Sequence, residues 1–339
     1  GVVGVVRGRK ETSGRTVGLR ADMDALPMEE EIDFAHRSTR AGLMHGCGHD
    51  GHTTMLLAAA EYLAATRSFD GTVYLIFQPG EEGFGGAKVM IDDGLFARFP
   101  ADEVYALHNW PGLPAGHIGL NPGPMMAAAD RIEITISGRG GHAAHPHLTV
   151  DPVLIAGHVI TAAQSLVARN VAPIEAAVVS LCAMHTGNLG AFSVIPREAR
   201  LVGTVRAFQH SVQELIERRL SDLVKGIAQS FGGSAEVRYE RIYPATINHA
   251  PQYDHALQVA EALVGRDEVV RHMPPSMGAE DFAFMLQAKP GCYARLGQGG
   301  PDGGCWLHNS RYDFNDAVIP LGAGFLAALA ERRMPLQTT

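Results

Sequence analysis

Four runs rich in β-branched and apolar residues most constrain what this chain can become: residues 1–8 (GVVGVVRG), 16–22 (TVGLRAD), 72–78 (TVYLIFQ) and 103–109 (EVYALHN). They are too evenly apolar to leave one face in water, so they predict strands buried on both faces of an α/β sheet. A helical pattern stands between two of them at residues 52–66, with Met55, Leu56, Ala59, Tyr62 and Leu63 on one side. The second constraint lies just beyond the strands. Asp22 and Asp24, Glu81 and Glu82, and His108 stand where three of these runs end, and ligands of open α/β sheets gather beyond the carboxyl ends of strands.

Residues 44–52 (MHGCGHDGH) place a thiol, three imidazoles and a carboxylate in a turn loosened by Gly46, Gly48 and Gly51. Cys47 and His49, two apart on so free a backbone, can converge on one cation without straining a regular element. A buried structural cysteine and a thiol nucleophile paired with His49 are the alternatives; the short spacing favours chelation. His45 and His52 read as hydrogen-bonded turn or core residues. His308, in LHNSRYDFND, is a further candidate ligand.

With 339 residues, 46% hydrophobic and 19% charged, the chain is long enough for two domains. A formal charge of −8 without a clustered basic patch argues against a nucleic-acid partner and for a small molecule. Cys47, Cys182, Cys292 and Cys305 are few and scattered, which suits reduced thiols in the cytoplasm. No apolar run approaches the ~20 residues of a membrane span, so no membrane partner is expected. The chain opens without Met on a strand already under way, which points to a missing N-terminal part.

The period changes after residue 121. Residues 131–137 (RIEITIS) alternate as a half-exposed strand does, and Asp151-Pro152 starts a helix to about Arg169. Strands are predicted at residues 176–183, 199–208 and 235–243, with a helix at 211–229 capped by Ser211 and Glu214. The order is βαββαβ, a split βαβ sandwich with sheet edges open to a second copy. The α/β style then returns, with helices near residues 254–264, 280–286 and 320–332 and a strand at 292–296. The expected architecture is therefore an α/β catalytic domain of residues 1–121 and 246–339, interrupted by an inserted ferredoxin-like domain of residues 122–245.

These motifs together resemble the amidohydrolase branch of the aminoacylase and carboxypeptidase superfamily of two-metal hydrolases, which includes hippurate hydrolase and hydrolases of indoleacetyl-amino acids. The carriers are RADMDALPMEE, MHGCGHDGHTTMLL, FQPGEEGFGGAKVMIDDG, LHNWPGLPAGHIG, ISGRGGHAAHPH, GTVRAF, SMGAEDF and LHNSRYDFND, in the family's order. The resemblance implies an aminopeptidase-like catalytic domain with the insert as lid and dimerisation domain. It further implies Cys47, His49, Glu82, His108 and His308 as metal ligands and Glu81 as general base. One ion would be held by Cys47, Glu82 and His308, the other by Cys47, His49 and His108, with the thiolate shared. It places His142 over the metals as donor to the substrate carbonyl, in the partner subunit's site of a homodimer. Two departures stand out: Ser193 in FSVIP where relatives usually carry Asn, and the lack of the helical segment that precedes the first strand in relatives.

Elementary chemistry supports the same division independently. Of two adjacent glutamates at a strand end, one can bind metal while the other takes a proton from a metal-activated water. A thiolate with imidazoles suits zinc; manganese, cobalt and nickel also match, since affinity order does not decide occupancy. Asp24 is expected behind the ligands, orienting one of them, with a cap of the turn as the alternative, and Arg206 in GTVRAF reads as a planar clamp for a substrate carboxylate or as a plain surface cation. The expected activity is metal-dependent cleavage of the amide of an N-acyl amino acid. A dipeptidase or carboxypeptidase with the same site, or a non-catalytic metal binder, are the alternatives.

Overall fold

The computed structural model describes residues 1–299 and 305–336. Its contacts separate two units: Gly1–Met125 with Thr246–Pro275 and Glu280–Thr339, and Met126–Ala245 with Ser276–Ala279. The second unit thus starts at Met126 rather than at residue 122 and takes in a short segment beyond residue 245. The cause is local pairing, because the Ala127 N–H donates to Ser276 O at 3.0 Å and lies 2.9 Å from Gly278 O.

The first unit rests on a sheet in the order Val2–Arg7, Thr72–Gln78, Thr16–Asp22, Glu103–Pro111, Gly291–Gly299, Ile118–Gly119, Val269–Val270. Thr72–Gln78, Thr16–Asp22, Glu103–Pro111 and Gly291–Gly299 run parallel. Their register sets Asp22 beside Gln78 and His108 beside Arg295, which brings the acidic and imidazole side chains to one end of the sheet. The N-terminal run departs from the expectation of full burial. Val2–Arg7 is an antiparallel edge strand, and Val2 and Val5 remain exposed.

The helix His49–Thr66 begins at His49, ahead of residue 52, because Gly48 at φ 86° turns the loop directly into it. His49, His52, Met55, Leu56, Ala59 and Leu63 form its buried stripe, while Tyr62, expected on that side, falls at the margin and is exposed. Met55, Leu56 and Leu63 share one core with Leu19 and Tyr105 of the sheet and Phe325, Leu326 and Leu329 of the helix Ile319–Arg333. Each such side chain removed from water contributes about 1.5–3 kcal/mol, and this core anchors the first turn that carries His49.

In the second unit four antiparallel strands lie in the order Ser234–Tyr243, Ala128–Ser137, Glu198–Ala207, Ala177–Thr186. With helices Pro152–Asn170 and His210–Ser230 they give the βαββαβ sequence. Asp151 caps the first helix as its sequence predicts, accepting from the Val153 N–H at 2.8 Å, with Pro152 in the first turn. The second helix corrects the reading of Ser211 as its cap. It starts at His210 after Gln209, which makes no side-chain capping bond, and Glu214 reaches His210 Nε2 at 3.1 Å instead. Pro152–Asn170 is long and apolar enough to cross a membrane by length and composition. Its buried Ile155, Ala156, Val159, Ala163 and Leu166 instead follow helical spacing and join Ile132, Ile134 and Leu201 of the sheet.

Two glycines of this unit test the packing. A Cβ on Gly157, within the helix, meets nothing within 4 Å, whereas one on Gly203 would lie 2.2 Å from Ser180 O of the neighbouring strand. Gly157→Ala should therefore stabilise by about 0.5–1 kcal/mol, and Gly203→Ala should destabilise, as read by urea unfolding of the two variants.

Candidate metal centre

The loop of Cys47 is closed by its glycine. Gly48 takes a left-handed conformation, and a Cβ there would lie 2.7 Å from both Asn109 Oδ1 and Tyr312 Oη. The loop is further tied to the C-terminal segment, where the His308 N–H donates to Gly46 O at 2.7 Å. His308 itself has φ 62°, one of few non-glycine residues with positive φ among those described. Such a conformation persists only where its surroundings impose it, and here it brings the imidazole to the cysteine loop.

The side chains converge. Cys47 Sγ lies 3.7 Å from His108 Nε2, and His308 Nε2 lies 3.1 Å from Glu82 Oε1. His49 Nε2 is 4.0 Å from the same Glu82 oxygen and 3.8 Å from Asp22 Oδ2. Cys47, Glu82 and His308 each offer a ligand atom within 4.8 Å of the others, as do Asp22, His49, His52 and His108. The His108 Nδ1–H donates to Asn109 O at 2.7 Å, which fixes the tautomer and leaves the Nε2 lone pair facing Cys47.

Donor chemistry shows that these residues fit a cation. Both ring nitrogens of His49 are buried without a hydrogen-bond partner among the described residues, a costly state for polar atoms unless something else satisfies them. Burial pushes His49 down and His108 well down from the ordinary imidazole value, which keeps their lone pairs free. Burial, with the Glu82 and Glu81 carboxylates beside it, pushes the Cys47 thiol well up; a bound cation reverses that balance and takes the thiolate. Although burial works the other way, His308 and His49 hold Glu82 below the usual carboxylate range.

Behind the ligands stands a polar layer of which the sequence showed only parts. Asp24 Oδ1 accepts from the Gly80 N–H at 2.6 Å and Oδ2 from the Glu82 N–H at 2.9 Å, so it shapes the loop that presents both glutamates. Asp22 matters more than its spacing suggested. It accepts from His52 Nδ1 at 2.5 Å and from Arg20 Nη1 at 2.8 Å, while the Asn109 N–H donates to His52 Nε2 at 3.0 Å. Arg20, Asp22, His52, Asn109 and Glu280 are all buried. An arginine inside the otherwise apolar run TVGLRAD was the signal for them, since a buried guanidinium requires carboxylate partners.

Glu81, next to Glu82, differs from it in surroundings. It is buried, and burial together with the Glu280 and Asp22 carboxylates pushes it well above the usual carboxylate range. His142 and Arg206 lie in the second unit. His142 is exposed in the short strand Gly141–His142, paired with Val194. Its Nδ1 accepts from the Ala144 N–H at 3.0 Å, so the neutral ring carries its proton on Nε2 as an outward donor. The Arg206 guanidinium hydrogen-bonds within its own strand, to Thr204 Oγ1 and to Val205 O at 3.1 Å. It is engaged at short range here rather than extended as a clamp.

A model of peptidase family M20/M25/M40 matches residues 18–332. Hippurate hydrolase of Campylobacter jejuni is 42% identical over 330 residues, spanning 97% of this chain and 84% of that protein. Thermostable carboxypeptidase 1 of Saccharolobus solfataricus is 36% identical over 335 residues, spanning 97% of this chain and 83% of the relative. Among solved structures, the Bacillus subtilis YXEP protein, described as a dinuclear metal-binding peptidase of the M20 family, is similar at a TM-score of 0.84 and 30% identity. That match covers 98% of this chain and 85% of YXEP.

Asp24 gives the centre's most direct test short of touching a ligand. Asp24→Ala should leave the fold intact yet weaken metal retention by about 10–100-fold, the usual cost of losing a group that orients a ligand, as measured by competition with a chromogenic chelator.

Proposed function

The chain belongs to peptidase family M20/M25/M40, and on that premise we propose that it is a metal-dependent amidohydrolase whose substrates are N-acyl amino acids of the hippurate type. The observation that carries this reading is the unlike environment of two adjacent glutamates. Both glutamates share a cluster with His49, but Glu82 also faces Cys47 and His308, whereas Glu81 is buried beside the carboxylates of Glu280 and Asp281. Similarity to hippurate hydrolase supports an acyl group on the nitrogen of an amino acid. Similarity to a carboxypeptidase supports a second reading, a peptide carboxyl end at the same centre.

We assign one cation to Cys47, Glu82 and His308 and a second to Cys47, His49 and His108, as zinc or manganese, with cobalt and nickel meeting the same donors. When bound, such a pair polarises the amide carbonyl and lowers the pKa of water at the site. Glu81 takes a proton from the attacking water and returns it to the departing amine. His142 donates from Nε2 to the carbonyl oxygen as charge develops there. Arg206 would hold the substrate carboxylate after giving up its hydrogen bonds within the strand. Free thiols at Cys47, Cys182, Cys292 and Cys305 support a reducing, cytoplasmic setting.

The second unit also supports an assembly. Strands Ala177–Thr186 and Ser234–Tyr243 are the two edges of its sheet, and an open edge suits a twofold dimer. We infer that His142 serves the active site of the partner subunit. Mixing inactive Glu81→Gln with inactive His142→Ala chains should then restore activity, because one site of each mixed dimer combines intact Glu81 with intact His142. Verified mixed dimers without activity would contradict it.

The direct test of the activity is hydrolysis of N-acetyl, N-benzoyl and indoleacetyl amino acids by metal-reconstituted protein, alongside the two glutamate variants. Glu81→Gln should keep its metal and lose at least the roughly 10²–10⁴-fold typical of a general base; Glu82→Gln should lose metal as well. The reverse pattern of metal content would exchange their roles.

A further inference from the structure

The base has a neighbour with no part in the steps assigned to Glu81 and His142. One carboxylate oxygen each of Glu81, Glu280 and Asp281 lies within 4.8 Å of the others, and all three residues are buried. Glu280 and Asp281 immediately precede the helix Phe282–Ala288, and each is fixed by donors. Glu280 Oε1 accepts from Arg20 Nη2 at 2.9 Å and from the Phe282 N–H at 2.9 Å. Asp281 accepts from Arg20 Nη2 at 2.9 Å, from Gln78 Nε2 at 2.8 Å and from the Ala87 N–H at 2.8 Å.

The two acids therefore have different duties. Asp281 ties Gln78, the last residue of its strand, to Ala87 beyond the glutamate loop, and so fixes the loop's two ends. Among the described residues, the Glu280 carboxylate instead accepts from Arg20 and from its own helix start, and one of its oxygens lies within 4.8 Å of a Glu81 carboxyl oxygen. The Arg20 hydrogen bonds at Nε and Nη1 run to Gln78 and Asp22, each at 2.8 Å. Burial, with Asp22 and Asp281 nearby, pushes Glu280 up to about 7 although Arg20 pulls it down. Buried carboxylates with oxygens within 4.8 Å of one another do not take up arbitrary relative orientations, because like charges oppose each other.

We propose that Glu280, locked by Arg20, is a positioning residue for the base: it holds the Glu81 carboxyl in the one orientation from which a proton can be taken from water and passed to the amine. The inference rests on Glu81 being that base. It places Glu280 outside the ligand set, so its loss costs turnover and not metal.

The test compares wild type, Glu280→Gln, Glu280→Asp and Glu81→Gln as metal-loaded proteins, with crystal structures of the first two. Glu280→Gln keeps size and removes charge; it should lower kcat by about 10–100-fold, as for other groups that orient a reacting side chain. KM and metal content should stay within about twofold, and the Glu81 carboxyl should occupy a second orientation. Glu280→Asp keeps the charge but withdraws it by one methylene, and should also lose kcat at unchanged metal content; it decides the matter if the Gln variant does not fold. Unchanged kcat, a fall that only tracks lost metal, or a fall with Glu81 unmoved would overturn the proposal. An active Glu81→Gln protein would instead overturn the assignment of the base, whereas an inactive Glu81→Gln beside a fully active Glu280→Gln removes only Glu280's role.

Discussion

One guanidinium, that of Arg20, lies in the first unit against Asp22, Glu280 and Asp281, all within 2.9 Å and all buried. Burying so many charges costs several kcal/mol per ion unless each is paired and hydrogen-bonded, and Arg20 meets that condition with every nitrogen of its fork engaged. Through Asp22 it reaches His52 and stands beside His49; through Asp281 it fixes the loop of the two glutamates; through Glu280 it borders Glu81. Removing it would strip three buried carboxylates of their shared cation, leaving Asp22 with His52, Glu280 with the Phe282 N–H, and Asp281 with Gln78 and the Ala87 N–H.

This arrangement explains how two neighbouring residues of one type acquire opposite chemistry. Glu82 lies among imidazoles that favour its charged form, and Glu81 lies among carboxylates that oppose it. Asp24 holds the backbone on one side through Gly80 and Glu82, and Asp281 on the other through Gln78 and Ala87. The loop is thereby pinned, with one carboxylate oxygen of each glutamate within 4.8 Å of the other and of His49, while Glu81 alone also borders Glu280 and Asp281.

Much of this was legible because period and residue type carry it. Even apolarity gave the buried strands and alternation at residues 131–137 gave the half-exposed one, while the glycine-loosened turn pointed to Cys47 and His49, which fall in separate clusters of candidate ligands. The first run misled because an edge strand with exposed Val2 and Val5 has the same composition as a buried one. Ser211 misled because the helix begins one residue earlier, at His210, which leaves Ser211 inside the first turn after an N-cap residue, Gln209, that makes no side-chain capping bond. Arg20, His52 and Glu280 stayed hidden in role because their partners are remote in sequence. The ion pair of Arg20 with Glu280 spans 260 positions, and no local pattern encodes such a meeting.

The central claim is that Cys47 is shared between two cations, one with Glu82 and His308 and one with His49 and His108. Anomalous diffraction at the absorption edge of the loaded metal, on crystals grown with saturating zinc or manganese, tests it directly. The account predicts two peaks per chain about 3.5–4 Å apart, with Cys47 Sγ within bonding distance of both. A single peak at saturation, or two peaks of which Cys47 binds neither, would contradict it.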